Sequence, residues 1–84
     1  MPYIKKHRKL GIEQQLEQVG PSLEVKGELT YAIFKLGIEY MKYHAENYQN
    51  LSDCISAMND SAAEFRRRFL NPYEDKKIKE NGDI

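Results

Sequence analysis

The sequence predicts an all-α fold: an antiparallel helical hairpin with a short N-terminal helix and a short C-terminal helix, assembled into a homo-oligomeric bundle. Three observations carry the prediction. First, GELTYAIFKLGIEYMKYHAE, residues 27–46, bears two apolar stripes. Leu29, Ile33, Leu36, Tyr40 and Tyr43 form one; Tyr31, Phe34, Ile38 and Met41 form the other. Both advance in three- and four-residue steps, the period of an α-helix. A helix with one wet face needs a single stripe, so a helix with two is packed from two sides. Second, Leu51, Cys54, Ile55, Met58, Ala62, Phe65 and Phe69 share one face of a second long helix, opposite Asp53, Asn59, Asp60, Glu64 and Arg67. Long consecutive helices joined by a short polar loop make a hairpin. Third, 84 residues form one small domain. A domain of this size buries only roughly 60–65% of its unfolded surface and needs support. Cys54 is the only cysteine, and His7 and His44 are far apart, so neither a disulfide nor a zinc site supplies it. Self-association remains.

The single helical domain, residues 1–84, divides as follows. Residues 1–9 read as a basic arm with Lys5, Lys6, Arg8 and Lys9, whose Tyr3 and Ile4 dock on the body. Residues 10–19 form the first helix, with Ile12, Leu16 and Val19 on its apolar face. Gly20 ends it in a left-handed cap and Pro21 cannot continue it. PSLEVK is a connector, too short for a convincing strand. Gly27 serves as N-cap of the central helix, with Glu28 opposing the positive end of its dipole. That helix fades where Asn47, Gln49 and Asn50 cluster, and Asn50 caps the helix over 51–70 with Asp53 completing a box-like start. Glu64 pairs with Arg68 four residues on. Asn71-Pro72 reads as a stop and an immediate restart, because the residue before proline is pushed extended and proline suits the first helical position. A short charged helix over 72–80 follows, ended by Asn81-Gly82.

Composition excludes several functions. The 13 basic and 13 acidic residues balance, so counterion release gives little drive toward duplex DNA. No apolar run approaches the roughly 18 residues of a membrane span, and no hydrophobic segment follows the basic start as in a secretory signal. A lone thiol points to a reducing cytoplasm. Cys54 lies on an apolar face and reads as a small core residue rather than a nucleophile. His44 lies four residues from both Tyr40 and Tyr48 and reads as half-buried structure. A bundle metal site would want Glu three residues before His44, where Met41 stands. There is no glycine-rich phosphate loop and no nucleophilic triad. The protein is read as a non-enzyme without a cofactor.

Arg66, Arg67 and Arg68 are the most informative polar feature. Three consecutive residues splay through about 200° of a helix. One or two of them can reach an anion together with Lys5, Lys6 or Arg8, because guanidinium forks onto two phosphate oxygens. The bland alternative is a solvated helix end, where cations complement the dipole. In an oligomer each arginine and each nearby tyrosine repeats around a shared cleft, and tyrosine stacks on bases.

MPYIKKHRK at the start, GELTYAIFKLGIEYMK in the middle and EFRRRFLNPYEDKKIKENGD at the end resemble a family of small proteins carried in bacteriophage and prophage genomes. The resemblance spans nearly the whole chain, and NPYEDKKIKENGD is its most specific part. It implies a setting, the cytoplasm of an infected bacterium, and assigns no activity or site residue. Two expectations follow. One is an oligomer that sequesters an anionic host signalling molecule, such as a defence nucleotide, using Arg66, Arg67, Arg68, Lys5, Lys6, Arg8, Tyr3 and Tyr73. The other is a module whose stripe of Tyr31, Phe34, Ile38 and Met41 clamps a host protein.

Overall fold

The computed structural model describes residues 3–82. Met1 and Pro2 of the basic arm, and the terminal Asp83 and Ile84, lie outside the described residues. All regular structure among the described residues is helical, as expected. The chain divides into two units, Met1–Tyr43 and His44–Ile84.

In the first unit, α1 spans Lys6–Val19, starting four residues before the expected Leu10. Lys6, His7, Arg8 and Lys9 of the basic arm are therefore helical. Lys5 is extended, and its carbonyl accepts from the backbone N–H groups of Arg8 and Lys9 at 2.9 and 3.0 Å. Those bonds close the first turn although its charges oppose the dipole. Tyr3 does not dock: it is fully exposed, and Ile4 is 45% exposed. Gly20 is right-handed, at φ −47°, ψ −53°, and not left-handed as expected. The chain tightens instead into a 3₁₀ turn, Gly20–Ser22, which tolerates Pro21 in its first turn. The Ser22 hydroxyl donates to the Val19 carbonyl at 2.6 Å, satisfying an acceptor at the helix end.

The helix α2 spans Lys26–Met41. Val25, not Gly27, is its N-cap, at φ −130°, ψ 160°. Glu28 explains the shift. Its Oε1 accepts from the backbone N–H groups of Glu24 and Val25 at 2.7 and 3.1 Å, which is the returning half of a capping box. The helix ends five residues before the expected 46. Lys42 N–H reaches both Ile38 and Glu39 carbonyls at 3.2 Å, the tightening common in a last turn.

In the second unit, α3 spans Tyr48–Phe65. Asn47 is the cap, three residues before the expected Asn50: its Oδ1 accepts from Asn50 N–H at 2.8 Å. Asn50 is thereby the third helical residue, and its amide donates back to the Ala45 carbonyl at 2.8 Å. Asp53 takes the Gln49 amide at 2.7 Å instead of completing a box. A π-helical turn, Arg66–Leu70, leads without a break into α4, Asn71–Asn81. The expected stop at Asn71 is absent, because Asn71 is helical at φ −62°, ψ −47°. Pro72 removes one backbone donor and its ring crowds the preceding turn. Widening that turn to π geometry makes room and keeps the helix going. Gly82 ends α4 at φ 81°, ψ 154°, a conformation suited to glycine.

Neither unit builds a core. Among the described residues no hydrophobic side chain is buried, and Gly37 alone is buried at all. Tyr31 is 64% exposed, Phe34 59%, Ile55 59% and Phe65 66%. Exposure in the whole chain is a lower bound for a unit alone, so each unit leaves its own stripes uncovered.

Replacing Asn47 by Ala removes the acceptor that starts α3. We expect a loss of about 1 kcal/mol in urea denaturation followed by circular dichroism. An unchanged midpoint would show that the Asn47 side chain is dispensable.

Candidate anion-binding segment

The arginine run occupies the π-helical turn, and local spacing arranges it. Glu64 lies three residues before Arg67 and four before Arg68, so both guanidinium groups can reach one carboxylate. Arg67 grips it with two donors: Nη2 bonds Oε1, and Nε lies 3.4 Å from Oε2. Arg68 Nε donates to the same Oε1 at 2.5 Å. A guanidinium carries five N–H donors, so most of those on Arg67 and Arg68 remain outside the clamp. The Arg67 and Arg68 side chains are 66% and 57% exposed, against 24% for Glu64. The carboxylate thus sits beneath cations whose outer edges face water. Arg66 makes no ion pair among the described residues.

Aromatic rings accompany these cations. Phe65 and Phe69 flank the run with ring centroids 4.8 Å apart at 42°. Tyr73, one turn into α4, has the Lys77 ammonium 5.6 Å from its ring centre. Both rings and cations therefore lie on one uninterrupted helical stretch, and π turns recur at functional sites. Of the expected binding residues, Arg66, Arg67, Arg68 and Tyr73 belong to this second unit. Tyr3, Lys5, Lys6 and Arg8 belong to the first, where they cluster at the start of α1.

Two features escaped the sequence. Glu64 holds two arginines rather than Arg68 alone; the three-residue spacing to Arg67 was the available signal. The first unit also carries an open groove of about 500 Å³, lined by Ser22, Leu23, Tyr31, Lys35, Leu36 and Glu39 among others. Its lining joins the connector residues Ser22 and Leu23 to residues of α2, which no periodicity reports. Among the described residues no group of His, Cys, Asp and Glu could hold a metal ion. Among the described residues no helix is long and apolar enough to cross a membrane. Cys54 is half-buried in the second turn of α3.

Residues 1–84 match the family described as a domain of unknown function, DUF6899. The chain belongs to the DUF6899 family. No curated protein and no solved structure matches it.

In this DUF6899 chain, hydrogen bonds from Arg67 and then Arg68 hold the Glu64 carboxyl down, from an ordinary 4.5 to about 2. Glu64 in turn holds the Arg67 guanidinium above its ordinary range. Lys42, then Lys35, likewise lower Glu39 through hydrogen bonds at 2.9 and 3.1 Å. A carboxyl whose folded pKa lies below its unfolded value stabilises the fold above the unfolded pKa. That contribution disappears as pH falls through the folded value. Carbon-detected NMR titration should therefore place Glu64 near 2. Helicity should fall between pH 4.5 and 2, and Glu64→Gln should flatten that fall. A Glu64 midpoint near 4.5 would mean that the clamp does not form in solution.

Proposed function

We propose that this is a non-enzymatic bacteriophage accessory protein that works by binding. Assembled as a homo-oligomeric bundle in the host cytoplasm, it sequesters a small anionic signalling molecule, a defence nucleotide in chemical class. The exposed guanidinium edges of Arg66, Arg67 and Arg68, with the exposed Tyr73 ring on the same helical stretch, carry this reading. Guanidinium edges suit phosphate oxygens, and aromatic faces suit bases. Sequestration needs affinity without turnover, and such a cluster supplies affinity alone. The phage setting rests on the resemblance of the terminal and central segments.

The reading includes an architecture. On α3, Leu51, Ile55, Met58, Ala62 and Phe65 follow steps of four, three, four and three, a heptad seam that Phe69 in the π turn extends by a further step of four. On α2, Leu29, Ile33, Leu36 and Tyr40 follow four, three and four. Seams of equal period pack along their length at a shallow angle. We take these two as the faces of the antiparallel hairpin. That pairing places Phe65 and Phe69 partly in its core and leaves the arginines on its surface.

Isothermal titration against adenine and guanine nucleotides, linear and cyclic, tests the site. Substituting Arg66, Arg67 and Arg68 singly by Ala should weaken the best ligand by roughly tenfold or more at one or two of the three positions, the scale of a lost charge-assisted hydrogen bond. The helical circular dichroism should not change. Undiminished affinity in all three variants would remove the arginines from the site.

A further inference from the structure

The hairpin described above uses one stripe of α2 and leaves the other, Tyr31, Phe34, Ile38 and Met41. We propose that this second stripe is the self-association surface, and that two copies of the chain pair their α2 helices antiparallel about a two-fold axis. The inference rests on the hairpin and homo-oligomer parts of the proposed function and assigns the oligomer a surface and a symmetry.

Spacing, side-chain size and charge each point to that arrangement. The stripe advances by three, four and three residues, so its members alternate as the a and d positions of a heptad. Tyr31 and Phe34 are 64% and 59% exposed, and Ile38 is 39% exposed. In an antiparallel pair, an a position of one helix faces a d position of the other. With Phe34 opposite Ile38 of the second copy, Tyr31 falls opposite Met41. Each layer then sets an aromatic ring against an aliphatic or thioether side chain. Large against small fills a seam well, and sulfur packs favourably on aromatic edges. A parallel pair would instead stack Tyr31 on Tyr31 and Phe34 on Phe34, leaving the Ile38 and Met41 layers thin.

The charged flank gives the same orientation. Glu28, Lys35, Glu39 and Lys42 all lie on one side of this stripe, by their helical spacing. A perpendicular two-fold axis brings that flank against its own copy, running in reverse. Glu28, whose Oε1 also caps α2, then lies near Lys42 of the second copy, itself 2.9 Å from its own Glu39, twice per dimer. Near the axis, Lys35 of one copy approaches Glu39 of the other. The two Lys35 ammonium groups also approach there, but each is already tied to its own Glu39 at 3.1 Å. A parallel pair would set the charged flank against Lys26, Thr30 and Gly37, with no carboxylate to meet Lys35 or Lys42.

Sedimentation and disulfide trapping test the proposal together. Wild-type protein should sediment as an oligomer. Phe34→Glu should weaken self-association by at least about thirtyfold, the scale of a central interface residue. Cysteine pairs then read the orientation in a Cys54→Ser background. An equal mixture of Phe34→Cys and Ile38→Cys chains should oxidise to the mixed disulfide, since these positions face each other across the axis. A wild-type monomer at high micromolar concentration would overturn the homo-oligomer reading and this inference with it. An intact oligomer in Phe34→Glu would overturn this surface and leave self-association standing. Disulfides within each variant alone would overturn the antiparallel orientation. Should Phe34→Glu fail to fold, the trapping result decides, and absence of any cross-link counts against the surface.

Discussion

Uncovered apolar helix faces are the constraint on which everything else in this protein depends. Isolated helices of this length are marginal in water, and their stability comes mainly from burying an amphipathic face. Here α2 and α3 carry stripes of Leu, Ile, Phe and Tyr that neither unit covers by itself. Ion pairs such as Lys35–Glu39 and Lys77–Glu80 cannot substitute, since water and salt screen exposed pairs and holding two long side chains together costs entropy. The molecule's stability and its binding behaviour therefore have a common origin. The faces that need partners are also the faces able to recognise them.

Local bonding settles where each helix begins and how it continues. Glu28 reaches back to two backbone donors and starts α2 before Gly27. Asn47 starts α3, and Ser22 closes the end of α1 through its hydroxyl. The π turn at Arg66–Leu70 has the largest functional consequence. It lets Pro72 sit inside one helical stretch, so the arginines, Phe69 and Tyr73 are held on a rigid element rather than split across a break. It also changes the angular relation between α3 and α4, because each π-type bond adds a residue to its turn.

The charge arrangement on that stretch is equally local. Glu64 draws Arg67 and Arg68 together, lowers their net charge and fixes where their free donor edges point. Arg66 stays outside this clamp. The run thus behaves as an oriented pair plus a third cation that no ion pair among the described residues engages, which differs from three independent solvated charges in what it can grip.

Much of this was readable from the residues. Periodicity of three and four marks helix from a few neighbours, so the all-α class and both stripes of residues 27–46 follow from the sequence alone. Charge spacing revealed the Glu64–Arg68 pair for the same reason. The start of α2 is two residues earlier than expected because Glu28 reaches back to the Glu24 and Val25 donors, and that of α3 is three residues earlier because Asn47 rather than Asn50 accepts at the cap. The break expected at Asn71 failed because proline's effect depends on whether the preceding turn can widen. By itself, then, the sequence determined which stretches are helical and which faces are apolar, both short-range properties of a chain with period 3.6. Only the three-dimensional structure decided that neither unit covers its own stripes, that α3 runs through Pro72, and that two arginines share one carboxylate. Those outcomes depend on which atoms meet in space, and hydrophobic periodicity does not encode that.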